Sequence, residues 1–320
     1  MSRLALEPFA DEHLEEAGRL LAARHAAHRT VEPLLPERFE SPAEARGEVE
    51  ALWAAEGSSG VVAVRGGRVV GYLIAGRRDD GVWGRNAWVE LAGHAVEAPE
   101  DVRDLFAFAA AGWVADRRNM HYAIVPAGDR QLVEARSRVG FGQQHALAIL
   151  ELVGEAGQAA DVREAEPRDI EQLLELAPLL GDHQARSPVF SRGPAFTVEE
   201  ARTDIEKDLA SATIGSLVAE SDGRIVGSFV VLPVELSSTH SGLARPEGAA
   251  LLAWAATRPD VRGSGAGLAL TQAAFGWAWA RGHRVIVTDW RVTNLLSSRF
   301  WPRRGFRPTF LRLHRTVVPG

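Results

Sequence analysis

Between Arg258 and Trp277 the chain reads RPDVRGSGAGLALTQAAFGW, with glycines at 263, 265, 267 and 276. Leu268, Thr271, Phe275 and Trp279 recur at helical spacing, so the first three glycines sit where a helix begins. Glycine inside a helix costs about 0.5–1 kcal/mol relative to alanine, and something must offset that cost. The first N–H groups of a helix have no partner within it. With the helix dipole they make a site for phosphate oxygens, which glycine lets approach the main chain. The chemistry that fits is capture of a phosphate-bearing ligand by the backbone of Arg262, Gly263, Ser264, Gly265, Ala266 and Gly267. Tight helix–sheet packing is the competing explanation. Two nucleotide patterns fail: a Walker loop needs a lysine, and in G-x-G-x-x-G the third glycine would be Leu268.

Other residues able to do chemistry flank this stretch. GAALLAWAATRP, upstream, reads as a buried strand ending at Pro259 and includes Ala255, Ala256 and Thr257. Downstream, VIVTDW reads as another strand, followed by Asn294, Ser297, Phe300, Trp301 and Gly305-Phe306. Asp289 near the end of that strand and Glu235 after an upstream hairpin are candidate proton acceptors. His240 and Glu247 lie in a long loop, and His183 in GDHQARSPVFSRG reads as a surface residue. The ten histidines show no H-E-x-x-H or similar spacing, so no metal is expected. With no cysteine, the chain has neither disulfides nor a thiol nucleophile.

The elements that must position these residues occur twice. VAVRGGRVVG (62–71) and VAESDGRIVG (218–227) both read as tight hairpins turning on Gly66-Gly67 and Asp222-Gly223. Their offset is 223 − 67 = 156. EARSRVGFGQQHALAILEL and SRFWPRRGFRPTFLRLHR each read as a helix end, Gly-Phe and an alternating strand, offset by 305 − 140 = 165. The difference of 9 places extra loop in 235–248, ELSSTHSGLARPEG. Each half also opens on a strand, a Glu-Pro pair and an amphipathic helix, with Leu14, Leu20 and Leu21 on one face in the first. In the second, Ile170, Leu173, Leu174 and Leu176 play that part. Three landmarks in the same order indicate duplication, joined by a linker within GEAGQAADV (154–162).

The composition, 46% hydrophobic and 24% charged over 320 residues, is that of a globular protein with room for two cores. A formal net charge of −6 argues against a non-specific grip on nucleic acid or anionic membrane. The start of the chain lacks a signal-peptide core and no apolar run approaches a membrane span, so a cytoplasmic location is expected.

Arg262-x-x-Gly265-x-Gly267 after a strand ending in Pro259 resembles the acyl-CoA signature of the GNAT superfamily of N-acetyltransferases. Asn294, Phe300 and Gly305-Phe306 resemble that superfamily's second landmark, at the expected spacing. The resemblance spans nearly all of 160–320. It implies that 262–267 hold the pyrophosphate of acetyl-CoA and that Ala255, Ala256 and Thr257 bond its pantetheine arm. Asn294, Ser297 and Phe300 would lie beside the coenzyme, in a gap between two splayed strands. Many relatives use a tyrosine just after Phe300 to protonate the leaving thiol; Trp301 stands there, and an indole N–H is too weak an acid.

The offset of 165 carries Asn294 to Asp129, and the first half's counterpart of 262–267, roughly VEAPEDVRDLF, has no glycine but carries Glu97, Glu100, Asp101 and Asp104. Such acids fill the niche a pyrophosphate would need. The expected architecture is α/β (α+β): two tandem GNAT-like lobes, each a mixed, mostly antiparallel sheet flanked by helices. A degenerate lobe 1–153, a linker 154–161 and an acetyl-CoA-binding lobe 162–320 make up the chain. The layout resembles tandem GNAT enzymes such as the mycothiol synthases. The expected activity is acetyl transfer to a small-molecule amine by direct attack, in a monomer or homodimer. A non-catalytic acyl-CoA-binding regulator and a mycothiol synthase-like enzyme are the alternatives.

Overall fold

A computed structural model describes residues 3–154, 161–191 and 193–318. The first half contains β1 (Ala5–Pro8), α1 (Leu14–Arg29), α2 (Pro42–Trp53), β2 (Ser59–Arg65), β3 (Arg68–Asp80) and β4 (Gly84–Val89). It continues with β5 (His94–Val96), α3 (Asp101–Ala115), β6 (Met120–Pro126), α4 (Arg130–Arg138) and β7 (Gly142–Glu151). The second half contains β8 (Val162–Glu164), α5 (Ile170–Leu176), α6 (Pro178–Gln184), α7 (Val198–Ala210), β9 (Gly215–Ser221) and β10 (Arg224–Pro233). Then come β11 (Ala250–Thr257), α8 (Ala266–Ala280), β12 (Val285–Arg291), α9 (Ser297–Phe300) and β13 (Arg307–Thr316).

Both hairpins form as their turn residues dictate. Gly66, Gly67, Asp222 and Gly223 all have positive φ, between 53° and 77°, the backbone of a two-residue turn whose twist matches its strands. Leu14, Leu20 and Leu21 are buried on one face of α1. In the second half Pro178 divides the expected opening helix into α5 and α6, and Leu173 and Leu176 carry its buried face.

The chain separates into two compact units, Met1–Leu147 with Gly242–Ala244 and Pro308–Gly320, and Ala148–Ser241 with Arg245–Arg307. The sheet of unit 1 runs β1-β2-β3-β4-β6-β13 and then the start of β7, with β5 also on β3. β4 and β6 are parallel; the other registered pairs are antiparallel. The sheet of unit 2 runs from the end of β7 through β12-β11-β10-β9 to β8, with only β11 and β12 registered as parallel.

These units do not follow the linear division expected at 154–161, and residues 155–160 of that linker lie outside the described residues. β13 pairs with β6, from Phe310↔Pro126 to Thr316↔Met120. Thr309 Oγ1 donates to Leu147 O (3.2 Å) and Arg312 Nε to Gln144 Oε1 (2.8 Å). The repeat supplies the reason. β7 and β13 both follow a helix and a Gly-Phe with the same alternating pattern, so one strand can take the other's place, as in domain swapping. The loop at 235–248 also has more structure than its composition suggests. Leu243 and Ala244 are buried in the core of unit 1, with Leu20, Leu21 and Phe310.

Candidate functional site

β11 and β12 run parallel, but their registered pairs stop after Ala250↔Ile286 and Leu251↔Val287. One further tie follows, from Thr288 Oγ1 to Leu252 O (3.0 Å). On its other edge β11 stays paired to β10 as far as Gly227↔Thr257, with a bulge that leaves Ala253 as an extra residue between Val230↔Trp254 and Val231↔Leu252. A wedge therefore opens beside β11 from Ala253 onward. This is why the strand expected to be buried throughout is buried only at 250–252 and half-buried at 254–257.

Strand alternation identifies the groups that face this wedge. Arg258 N donates to Val226 O on the β10 side (2.8 Å), so Ala256 points the same way and Ala255 and Thr257 turn their N–H and C=O to the open side. Of the three strand residues read from the sequence, Ala255 and Thr257 thus border the wedge and Ala256 is engaged by the sheet.

At the end of β11 the chain makes a short 3-10 turn, Pro259–Val261, and enters α8 at Gly265. Gly263 and Gly265 have φ of 91° and 100°, a backbone that favours glycine. Arg262 N reaches Pro259 O, Ser264 N reaches Val261 O, and Ala266 N reaches Ser264 Oγ. The N–H groups of Gly263, Gly265 and Gly267 have no hydrogen-bond partner among the described residues. No acid occurs between 261 and 272, and the nearest, Asp260, is tied to Arg224 (2.8 Å). Arg262 is exposed and makes no ion pair among the described residues. Three free amides, a helix N-terminus and a free cation suit a diphosphate.

Asn294 caps the turn after β12. It is buried, and its Oδ1 accepts from Leu296 N (3.0 Å) and Ser297 N (3.3 Å). His183 on α6 points its Nε2 at the same atom, 3.0 Å away. The two backbone donors identify that atom as the oxygen, which only accepts, so His183 carries its proton on Nε2. The surface role read for His183 is thus replaced by a half-buried clamp on Asn294; a histidine some hundred residues from its partner carries no local signal of it. Ser297 Oγ is buried without a partner among the described residues, and the Phe300 ring lies 3.6 Å from where a Cβ on Gly267 would stand. Orphaned hydroxyl, free amides and open strand edge together fit a phosphopantetheine-bearing coenzyme.

Unit 1 treats the same positions differently. β4 and β6 pair over Asn86–Val89 and Met120–Ala123. Beyond that, His94 fills the space, its Nε2 on Ile124 O (2.9 Å), while Arg24 Nη2 bonds Leu91 O (2.6 Å). His94 is fully buried, and desolvation, then Arg24, hold its pKa well below the usual histidine value. Asp129 Oδ1 caps Leu132 N (2.9 Å), as its offset from Asn294 implies. Asp101 is paired with Arg65 (2.7 Å), Glu100 with Arg103 and Arg138 (both 3.1 Å), and Glu97 with Arg68. The acids there consume the local arginines.

The segment that carries the wedge, the glycine loop and the Asn294 cap, residues 182–306, matches the family model described as the Acetyltransferase (GNAT) family. It is a GNAT domain. A GCN5-related N-acetyltransferase from Sphaerobacter thermophilus shares the fold across both halves, with 16% identity, a TM-score of 0.61, and coverage of 99% of this chain and 96% of that one. A tandem GNAT protein from the clavulanic acid biosynthesis pathway is 18% identical, with a TM-score of 0.50 over 99% of this chain and 100% of that one. A glucosamine N-acetyltransferase region of a fungal multi-domain β-N-acetylglucosaminidase matches 98% of this chain and 38% of that one, at 15% identity and a TM-score of 0.56. A search of curated proteins found no match. The tandem GNAT layout therefore covers the whole chain, with the family sequence pattern in its second half.

Within the GNAT domain the remaining candidates separate. Asp289 is half-buried on β12, one residue past the Thr288 tie where the strands part. Glu235 is exposed on a 3-10 turn after β10. His240 is buried, its backbone held by Ser237 Oγ and Arg245, and Glu247 is exposed. Trp301 is buried among Phe229, Phe300 and Phe306, at centroid distances of 5.9, 4.9 and 5.5 Å. It is a packing residue. Among the described residues no group of three His, Asp or Glu could hold a metal, and no helix is long and apolar enough to cross a membrane.

Proposed function

We propose that this protein is an acetyl-CoA-dependent N-acetyltransferase that acetylates a small amine in its second half. The observation that carries this reading is the row of unpartnered amides at Gly263, Gly265 and Gly267 beside the open edge of β11. Acetyl-CoA, when bound, supplies an acetyl group activated as a thioester. Arg262 and the three glycine amides hold its diphosphate, and the N–H and C=O groups of Ala255 and Thr257 hold the pantetheine arm by strand-like hydrogen bonds. The free edge amides also supply preorganised donors for oxygen charge developing during transfer. Asn294, fixed by His183, and Ser297 line the far side.

The acceptor must attack as a neutral amine, so a base must take its proton. Asp289, at the point where the strands part, has the better position, with Glu235 as the alternative. Trp301 supplies no proton, so the departing thiolate takes one from water. Its buried ring favours one rival reading, a regulator that binds acyl-CoA without turnover.

Titration calorimetry with acetyl-CoA is expected to give one site per chain, emptied by an Arg262→Glu/Gly265→Glu double variant. Two equal sites per chain would refute the assignment to one half. Thiol release above hydrolysis with a panel of amines separates enzyme from regulator.

A further inference from the structure

A cavity of about 290 Å³ lies in unit 2 between α5, α7 and the face of the sheet formed by β9, β10 and β11. Its size is at the small end for ligand pockets, room for one ring and a short arm. Ser228, Val230 and Leu232 face it at the period-2 spacing of one strand side, and Phe196 and Trp254 add aromatic walls. The polar contribution is anionic: Asp204 and Asp208, one turn apart on α7, both line it, and no basic side chain does. In a chain whose arginines pair most nearby acids, neither of these carboxylates has an ion-pair partner among the described residues.

A second feature points to a missing occupant. Ser228 is 2% exposed and its side chain faces the cavity, yet its hydroxyl makes no hydrogen bond among the described residues. Its oxygen is open to the cavity and not sealed off, so a bound polar group can reach it. The cavity wall also includes Ala253, two residues from Ala255 at the wedge.

We infer that this cavity is the acceptor site and that it selects a small primary amine with an apolar, ring-sized body, its ammonium taken by Asp204 and Asp208 and a hydrogen bond completed by Ser228. The walls argue against polyhydroxylated amines, whose hydroxyls would be buried without partners. They argue equally against anions. Aromatic walls suit a cation that brings its own apolar surface. Desolvation, and then Asp204, raise the pKa of Asp208, strain that a bound ammonium would relieve. The role as acceptor site rests on the proposed activity; the capture of such an amine does not.

The test is calorimetry on the full chain, without coenzyme, using 2-phenylethylamine as probe and 2-phenylethanol and 3-phenylpropanoate as neutral and anionic counterparts. The amine is expected to bind at least about tenfold more tightly than either, as charge-assisted pairing requires. Asp204→Asn/Asp208→Asn should lose at least about tenfold for the amine, melt no lower than the parent and keep its acetyl-CoA affinity. Ser228→Ala should weaken the amine by a smaller factor. Equal binding of amine and alcohol, no binding of the amine, or an unimpaired double variant would overturn the inference. Amine binding by a protein that binds no acetyl-CoA would instead leave the cavity assigned and refute the acetyltransferase reading.

Discussion

Replacing Gly265 by alanine probes the coenzyme site through backbone conformation alone. Gly265 sits at φ 100° and ψ −10°, and no atom lies within 4 Å of where a Cβ would be. The cost of the substitution is therefore conformational and not steric, about 1–2 kcal/mol for holding an L-residue in a left-handed backbone. The loop has two ways to respond. It can keep its shape, and the protein melts lower by roughly 2–4 °C per kcal/mol. It can relax to negative φ, and the Gly263, Gly265 and Gly267 amides lose their common aim, so the same energy appears as a 5- to 30-fold weaker acetyl-CoA complex, on the scale of about 1.4 kcal/mol per tenfold. Calorimetric titration and thermal denaturation of one sample read both. Gly267→Ala is the internal control. Its φ is not positive, and its Cβ would meet the Phe300 ring at 3.6 Å, an ordinary contact, so near-parental behaviour is expected. Gly265→Ala with unchanged melting and unchanged affinity would refute the link between this backbone and phosphate capture.

Three further outcomes follow from the geometry. Asn294→Ala removes the acceptor shared by Leu296 N, Ser297 N and His183 Nε2, and thermal denaturation should register about 1–2 kcal/mol. Trp301→Phe should leave turnover close to that of the parent, because the ring packs and donates no proton; a large loss in turnover at unchanged coenzyme affinity would contradict this. Asp169 is buried, and Arg163 (2.7 Å), despite an opposing cost of burial, holds its pKa below the ordinary carboxylate value of 3.8. A depressed folded-state pKa means that its stabilisation is present at neutral pH and is lost as the pH falls through the acid range, so Asp169→Asn should flatten the acid limb of the stability profile.

Local chemistry was legible in the sequence where a residue type answers a local need. Asp222-Gly223 and Gly66-Gly67 accept the positive φ their turns demand, and Asn294 and Asp129, 165 residues apart, both became caps. What escaped was set by distant partners. Alternation in β13 tells which of its residues face inward but not which strand it joins, and its pairing with β6 takes it out of the lobe expected over 162–320. His183 carries no local mark of its bond to Asn294. Asp204 and Asp208, within EEARTDIEKDL, carry no local mark of the cavity they line, because Ser228 and Trp254 on the opposing sheet face complete it.

The crossing of β13 into unit 1 has a consequence for synthesis. A ribosome delivers residues 1–147 long before 308–316, so while the whole second repeat is translated the sheet built from β1 to β6 has its β13 edge either bare or held by β7 in the place of β13. An unpaired edge of that kind invites association with other chains. Folding of the first half is therefore timed by completion of the other, and trimming the residues after 307 should injure the half that was made first.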